Sequence, residues 1–286
     1  MEIHFKHLTP VECDELTRQL LRSDDVPEEI LQLIRNRADG NPMFIEEIVH
    51  NLLEEGIVES LPGAPPRVIR NLEEVTIPSS IQGIFIARID KLSAEFKEIL
   101  HAAAVIGPVF KLALLQRLFP NLELETRLAR LGEMGMIFES KSFPEIEYSF
   151  RNIMIQEAIY STLLHKKRRE LHAVVAQEIE TLYAQRLEDH FEILAQHYLR
   201  ADNSNRAYFH LVKSGLKAKE AHANAVAVTT LAKAVELGKV LPAPPLPLHE
   251  TIIALSEVQE LSGEFLDAIQ TRQQIMSAIT DPLLRV

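Results

Sequence analysis

ADGNPMFIEEIVHNLLEEG, residues 38–56, holds a helix stop and a helix start within five residues. Gly40 lets the preceding helix end, and Asn41 offers a side-chain oxygen to the open amides of a first turn. Pro42 suits the first helical position, where its missing N–H has no intrahelical partner to lose. Behind it, Phe44, Ile45, Ile48, Val49, Leu52 and Leu53 recur at helical spacing. Two readings stay open at this point. One is a tight helix–turn–helix; the other is a helix N-terminus presented to a nucleotide, whose phosphates such an end attracts.

Working outward, MEIHFKHL alternates Ile3, Phe5 and Leu8 with polar residues, as the end of a β-strand does. Thr9 and Pro10 then open a helix, with Glu12 completing a capping box and Val11, Leu16, Leu20 and Leu21 marking a face. A second helix begins near Pro27 and carries Ile30, Leu31 and Ile34, so three short helices form a small bundle. SLPGAPPRVIRN, residues 60–71, reads as an exposed connector. Beyond it, helical patterns in IPSSIQGIFIARIDKLS, FKEILHAAAVIG, FKLALLQRLF and LETRLARLGEMG precede a hairpin of MIFES and IEYSF around KSFPE. Helices followed by a two-stranded hairpin is winged-helix order. From Asn152 onward every apolar pattern is helical. Ala225 and Ala232, then Leu255, Gly263, Phe265 and Ala268, fall much as in tetratricopeptide (TPR) helix pairs, with PAPPLPLH lengthening the interval. The fold expected is therefore mainly α, in three parts: residues 1–78, a winged-helix domain with a small β-hairpin over 79–163, and a degenerate TPR-like α-solenoid over 164–286.

The totals narrow the function. A formal charge of −11 argues against a protein whose main task is to neutralise nucleic-acid phosphates, and LELETRLARLGEMG sets Arg127 and Arg130 against Glu123, Glu125 and Glu133. DNA is thus an unfavourable partner, the HKKRR run at 165–169 notwithstanding. Cys13 is the only cysteine, which excludes an internal disulfide and fits a reducing compartment. No apolar run is long enough to span a bilayer and MEIHFKHLTP lacks the features of a secretion signal, so a cytoplasmic location without membrane contact is expected. No glycine-rich loop ends in Gly-Lys-Ser or Gly-Lys-Thr, and no apolar run ends in paired acids for magnesium; the chain by itself is expected not to be an enzyme. Its eleven histidines show no HExxH pattern, and His190 with His197 lacks a third ligand, so no metal site is expected.

Taken in order, ADGNPMFIEEIVHNLLEEG, IPSSIQGIFIARIDKLS, HAAAVIGPVF, YSFRNIMIQEAIYSTLL, RRELHAVVAQEIE and LAQHYLRA resemble the region downstream of the catalytic core in bacterial STAND-class signalling ATPases. Those are AAA-like modules attached to class III adenylate or guanylate cyclases, LuxR-type regulators and serine/threonine kinases. The resemblance implies that residues 1–78 are the end of an ATPase core and a helical lid. It also gives Gly40, Asn41 and Pro42 a nucleotide-facing role, with ATP or ADP bound only together with a P-loop domain that this sequence does not contain. Arg151–Asn152 stands where a Lys–His pair is commoner. The implied partners are a P-loop ATPase domain and an effector domain, in cis or in trans, and proteins docking on the solenoid. The alternative is a free-standing helical interaction scaffold without nucleotide binding. Finally, Leu283, Leu284 and Val286 in ITDPLLRV predict an apolar edge over about 252–286 that associates with itself or with a partner.

Overall fold

The computed structural model describes residues 7–61, 64–70, 78 and 80–280, with side chains to 273. Among them the chain is mainly helical with two small antiparallel sheets. The strand expected at 1–8 and the apolar tail 283–286 lie, all but residues 7 and 8, outside the described residues. Two compact units form: Met1–Glu98 with Arg151–Thr162, and Ile99–Phe150 with Leu163–Val286.

In the first unit, α1 (Pro10–Leu21), α2 (Glu28–Ala38) and α3 (Pro42–Glu54) pack on one another, and α4 (Ile81–Asp90) packs on α3. Thr9 caps α1 through the expected capping box with Glu12. The inward stripe of α1 is Cys13, Thr17 and Leu21 rather than one including Val11, which is 66% exposed. Leu21 belongs to both stripes, and the buried Thr17 is tolerated because its hydroxyl donates to the Cys13 carbonyl at 2.8 Å. Ile30, Leu31 and Ile34 of α2 and Ile45, Ile48 and Leu52 of α3 are buried, and the two helices pack on each other. Each such side chain contributes about 1.5–3 kcal/mol of burial energy. β1 (Val58–Glu59) pairs with β2 (Arg67–Val68). Helix α5 (Ala94–Ile106) begins in this unit, which also takes α8 (Ile153–Thr162), lying against α4.

The second unit holds the rest of α5, β3 (Val109–Lys111), α6 (Leu112–Leu118), α7 (Leu124–Glu133), β4 (Ile137–Lys141) and β5 (Glu147–Phe150). The expected β4–β5 hairpin forms, and β3 joins it to make a three-stranded sheet in the order β3-β5-β4. Val109–Lys111 is too short to show an alternation, so its pairing depends on β5 lying beside it. Next come α9 (His165–Leu182), a 3₁₀ helix (Ala184–His190), α10 (Phe191–Arg200), α11 (Ser204–Glu220), α12 (Asn224–Val240), α13 (Leu248–Leu261) and α14 (Phe265–Thr280). From α9 to α14 each α-helix packs on the next, as in a stack of helical pairs. Of the small residues the sequence pattern singles out, Ala232 packs against the helical core and Ala268 is buried. Ala225 is exposed, while Ala227 and Ala234 are fully buried, and a Cβ on Gly215 would come within 2.6 Å of Leu231 Cγ. Helices α11 and α12 therefore approach at Gly215 more closely than any larger residue permits. Phe265, expected to pack, is 63% exposed, whereas Ala268 is buried.

Candidate functional site

Gly40 follows Asp39, and both adopt left-handed conformations, with φ of 72° and 47°. The turn carries a strap. Leu8 donates its amide to the Gly40 carbonyl at 2.8 Å, and His7 Nδ1 lies 2.6 Å from the Asp39 carbonyl. A Cβ on Gly40 would meet the Leu8 carbonyl oxygen at 2.6 Å and His7 Cβ at 2.9 Å. Glycine is thus required twice, for its backbone conformation and for the close passage of residues 7 and 8.

Asn41 then caps α3: its Oδ1 accepts from the Met43 and Phe44 amides at 3.1 and 3.3 Å. Pro42 stands at the first helical position with its ring exposed. The two amides that a phosphate could use at this end are occupied by the protein's own carboxamide. Met43, half-buried, turns its sulfur to a second carboxamide, that of Asn152, which donates to it. Asn152 also accepts from the Met154 amide at 2.8 Å, capping the start of α8 as Asn41 caps α3. Two helix N-termini separated by 109 residues of sequence therefore meet around one methionine. Arg151, beside them, is exposed. Further along α3, the buried Arg88 of α4 holds Glu47 at 3.0 Å and Glu54 at 3.1 Å. Burial pushes the Glu47 carboxyl up from its usual range, against the pull of Arg88.

The sequence-predicted trio Gly40–Asn41–Pro42 thus forms one turn, and the structure adds Met43 and Asn152 to it. The Asn152 contact had one sequence signal, an Asn two residues before an apolar helical run, which marks a cap but names no partner.

The second unit contains a polar cluster that sequence reasoning missed. His172 on α9 and His197 on α10 are both buried, with their Nδ1 atoms 2.8 Å apart. A distance that short requires one ring to donate and the other to accept, so at least one of the two rings is neutral. Burial depresses His172 to about 3 and His197 to about 4, helped in both cases by Arg200. Nearby, Glu180 accepts from Tyr198 at 2.9 Å, faces His210 at 2.9 Å and pairs with Arg206. Burial and the adjoining Glu180 push the Tyr198 hydroxyl up to about 12. These contacts tie α9, α10 and α11 together, although His197 Nε2 and His210 Nδ1 are buried without a hydrogen-bond partner among the described residues. Among the described residues no group of three or more His, Cys, Asp or Glu is placed to hold a metal ion, and no helix is long and apolar enough to cross a membrane.

Residues 10–60, which cover α1 to α3 and β1, match the model of a domain of unknown function (DUF8739). The chain is 31% identical over 178 residues to an uncharacterized protein of Rhizobium meliloti (strain 1021), covering 58% of this chain and 16% of that protein. It therefore spans about a sixth of the length of that relative. Among solved structures it is similar to a Signal Transduction ATPase with Numerous Domains (STAND) protein with a tetratricopeptide repeat sensor from Pyrococcus horikoshii. The TM-score is 0.37 and the identity 12%, over 99% of this chain and 56% of that one.

Proposed function

We propose that the chain is the regulatory and interaction part of a STAND-type signalling ATPase, coupling the state of a bound nucleotide to an effector such as a cyclase, a kinase or a transcription regulator. The observation that carries this reading is the meeting of Met43 and Asn152. Two of the sequence blocks that resemble the STAND class, ADGNPMF and YSFRNIMI, are distant in sequence and adjacent in space. A helix pair linked through one flexible thioether is able to transmit a shift at the Gly40–Pro42 turn to α8. In this reading residues 1–78 are the end of the ATPase core and the lid, 79–163 a winged helix and 164–286 a TPR-like solenoid. The order of α6, α7 and the β4–β5 hairpin, with β3 completing the sheet, supports the winged helix; the stacked helices from α9 to α14 support the solenoid. ATP or ADP binds only with a P-loop domain, the chain alone turns over no nucleotide, and protein partners dock on the solenoid.

The experiment joins the chain to a P-loop ATPase domain and titrates it with a fluorescent ADP analogue. Pro42→Ala and Asn152→Ala should weaken nucleotide binding more than they lower the melting temperature. An equal loss of both would reduce the turn to a helix start. A second reading, a helical interaction scaffold that binds no nucleotide, draws on the self-capping of α3 and α8: Asn41 and Asn152 already take the amides a phosphate would use. Unchanged nucleotide binding in both variants would favour it.

A further inference from the structure

Two exposed apolar features of the second unit are complementary. The first is a groove of about 430 Å³ where α10, α11 and α12 come together, lined by Leu199, Leu211, Ala232 and Leu237 with Lys233 and Glu236 at its rim. Leu199 is 44% exposed within it. The second is a ridge on α14. Ala268 and Thr271 turn inward, so the helical repeat sends Leu266 and Ile269 to the opposite side, with Phe265 at its flank. Phe265 is 63% exposed, Leu266 77% and Ile269 54%. Leucine and isoleucine projecting from a helix are the shape that an apolar interhelical groove accepts.

Charge is complementary as well. Lys233 at the groove and Asp267 beside the ridge form no ion pair among the described residues, and their signs are opposite. The remaining rim charge, Glu236, is held by Lys239 at 2.6 Å, and Arg272 on α14 by Glu260 at 2.7 Å, so neither opposes the approach.

We propose that α14 of one copy of this chain docks into the α10–α12 groove of a second copy, with Asp267 facing the partner's Lys233. Because groove and ridge are different surfaces, the contact is head-to-tail, and association continues beyond a dimer unless a ring closes. The contact requires nothing of the Gly40–Pro42 turn and stands apart from the nucleotide reading.

Sedimentation velocity on the full chain at rising concentration tests it. The wild-type chain should form species of increasing mass. Leu199→Glu in the groove and Leu266→Glu on the ridge both replace exposed side chains, and circular dichroism checks that each variant is folded. Each alone should raise the concentration for half-association about tenfold or more, the loss expected for one apolar anchor. Mixed, they should form a 1:1 dimer and nothing larger, since one variant keeps a sound ridge and the other a sound groove. Lys233→Asp mixed with Asp267→Lys should likewise associate better than either alone. A wild-type chain that stays monomeric throughout overturns the proposal. So does self-association of Leu199→Glu at wild-type strength, which would make the contact one between two α14 ridges.

Discussion

Lowering the pH from 8 to 5.5 should weaken the folded state by about 3 kcal/mol through the His172–His197 pair alone. Both imidazoles are buried and share a hydrogen bond that a neutral pair can make. Burial, with the positive charge of Arg200 on both rings and of Arg168 on His172, holds His172 at about 3 and His197 at about 4. Folded pKa values below the unfolded 6.5 mean that the unfolded chain binds more protons in this window, so stability rises with pH. The stabilisation is complete above the unfolded value and is lost as pH falls through 6.5 towards 4 and 3. At pH 5.5 both folded rings are still neutral, so the loss depends only on the unfolded chain: about 1.4 kcal/mol for each ring. His190 and His210, also depressed chiefly by burial, act in the same direction. Urea unfolding at pH 8, 6.5 and 5.5 measures the effect, in a window that stops above the range where most carboxylates titrate. Replacing both rings, His172→Leu with His197→Leu, should flatten the pH dependence by about 3 kcal/mol. Parallel pH profiles for wild type and double variant would refute the buried neutral pair.

Gly40→Ala should cost about 2–4 kcal/mol in a denaturant titration, combining left-handed strain with loss of the strap formed by His7 and Leu8; an unchanged midpoint would mean that residues 7 and 8 pass elsewhere. Arg88→Leu should destabilise by about 3 kcal/mol because it leaves Glu47 buried without its cation, and adding Glu47→Leu should recover most of that loss in the same assay. Duplex DNA should not be retarded in a gel shift at physiological salt, given the charge of −11. A salt-sensitive shift abolished by Arg127→Glu with Arg130→Glu would show that α7 meets DNA after all.

Local chemistry was legible in the sequence. Thr9 with Glu12, and Asn41 with Pro42, announce their helices because a cap and the amides it serves lie within three residues of each other. Those contacts form whatever the rest of the chain does. The facing of an apolar stripe is less secure, because a short helix with few apolar residues does not fix which side is inward: Val11, marked with the apolar face, points outward, and Ala227 rather than Ala225 is buried. Contacts between distant segments were decided by tertiary structure alone. His172 meets His197 only because α9 and α10 pack, β3 is a strand only because β5 lies beside it, and Asn152 reaches Met43 across 109 residues only because α8 and α3 belong to one unit. Nothing in the local preferences of His, Val or Asn encodes those partners. They follow from which apolar faces are buried together, and that free energy belongs to pairs of elements rather than to any single stretch of chain.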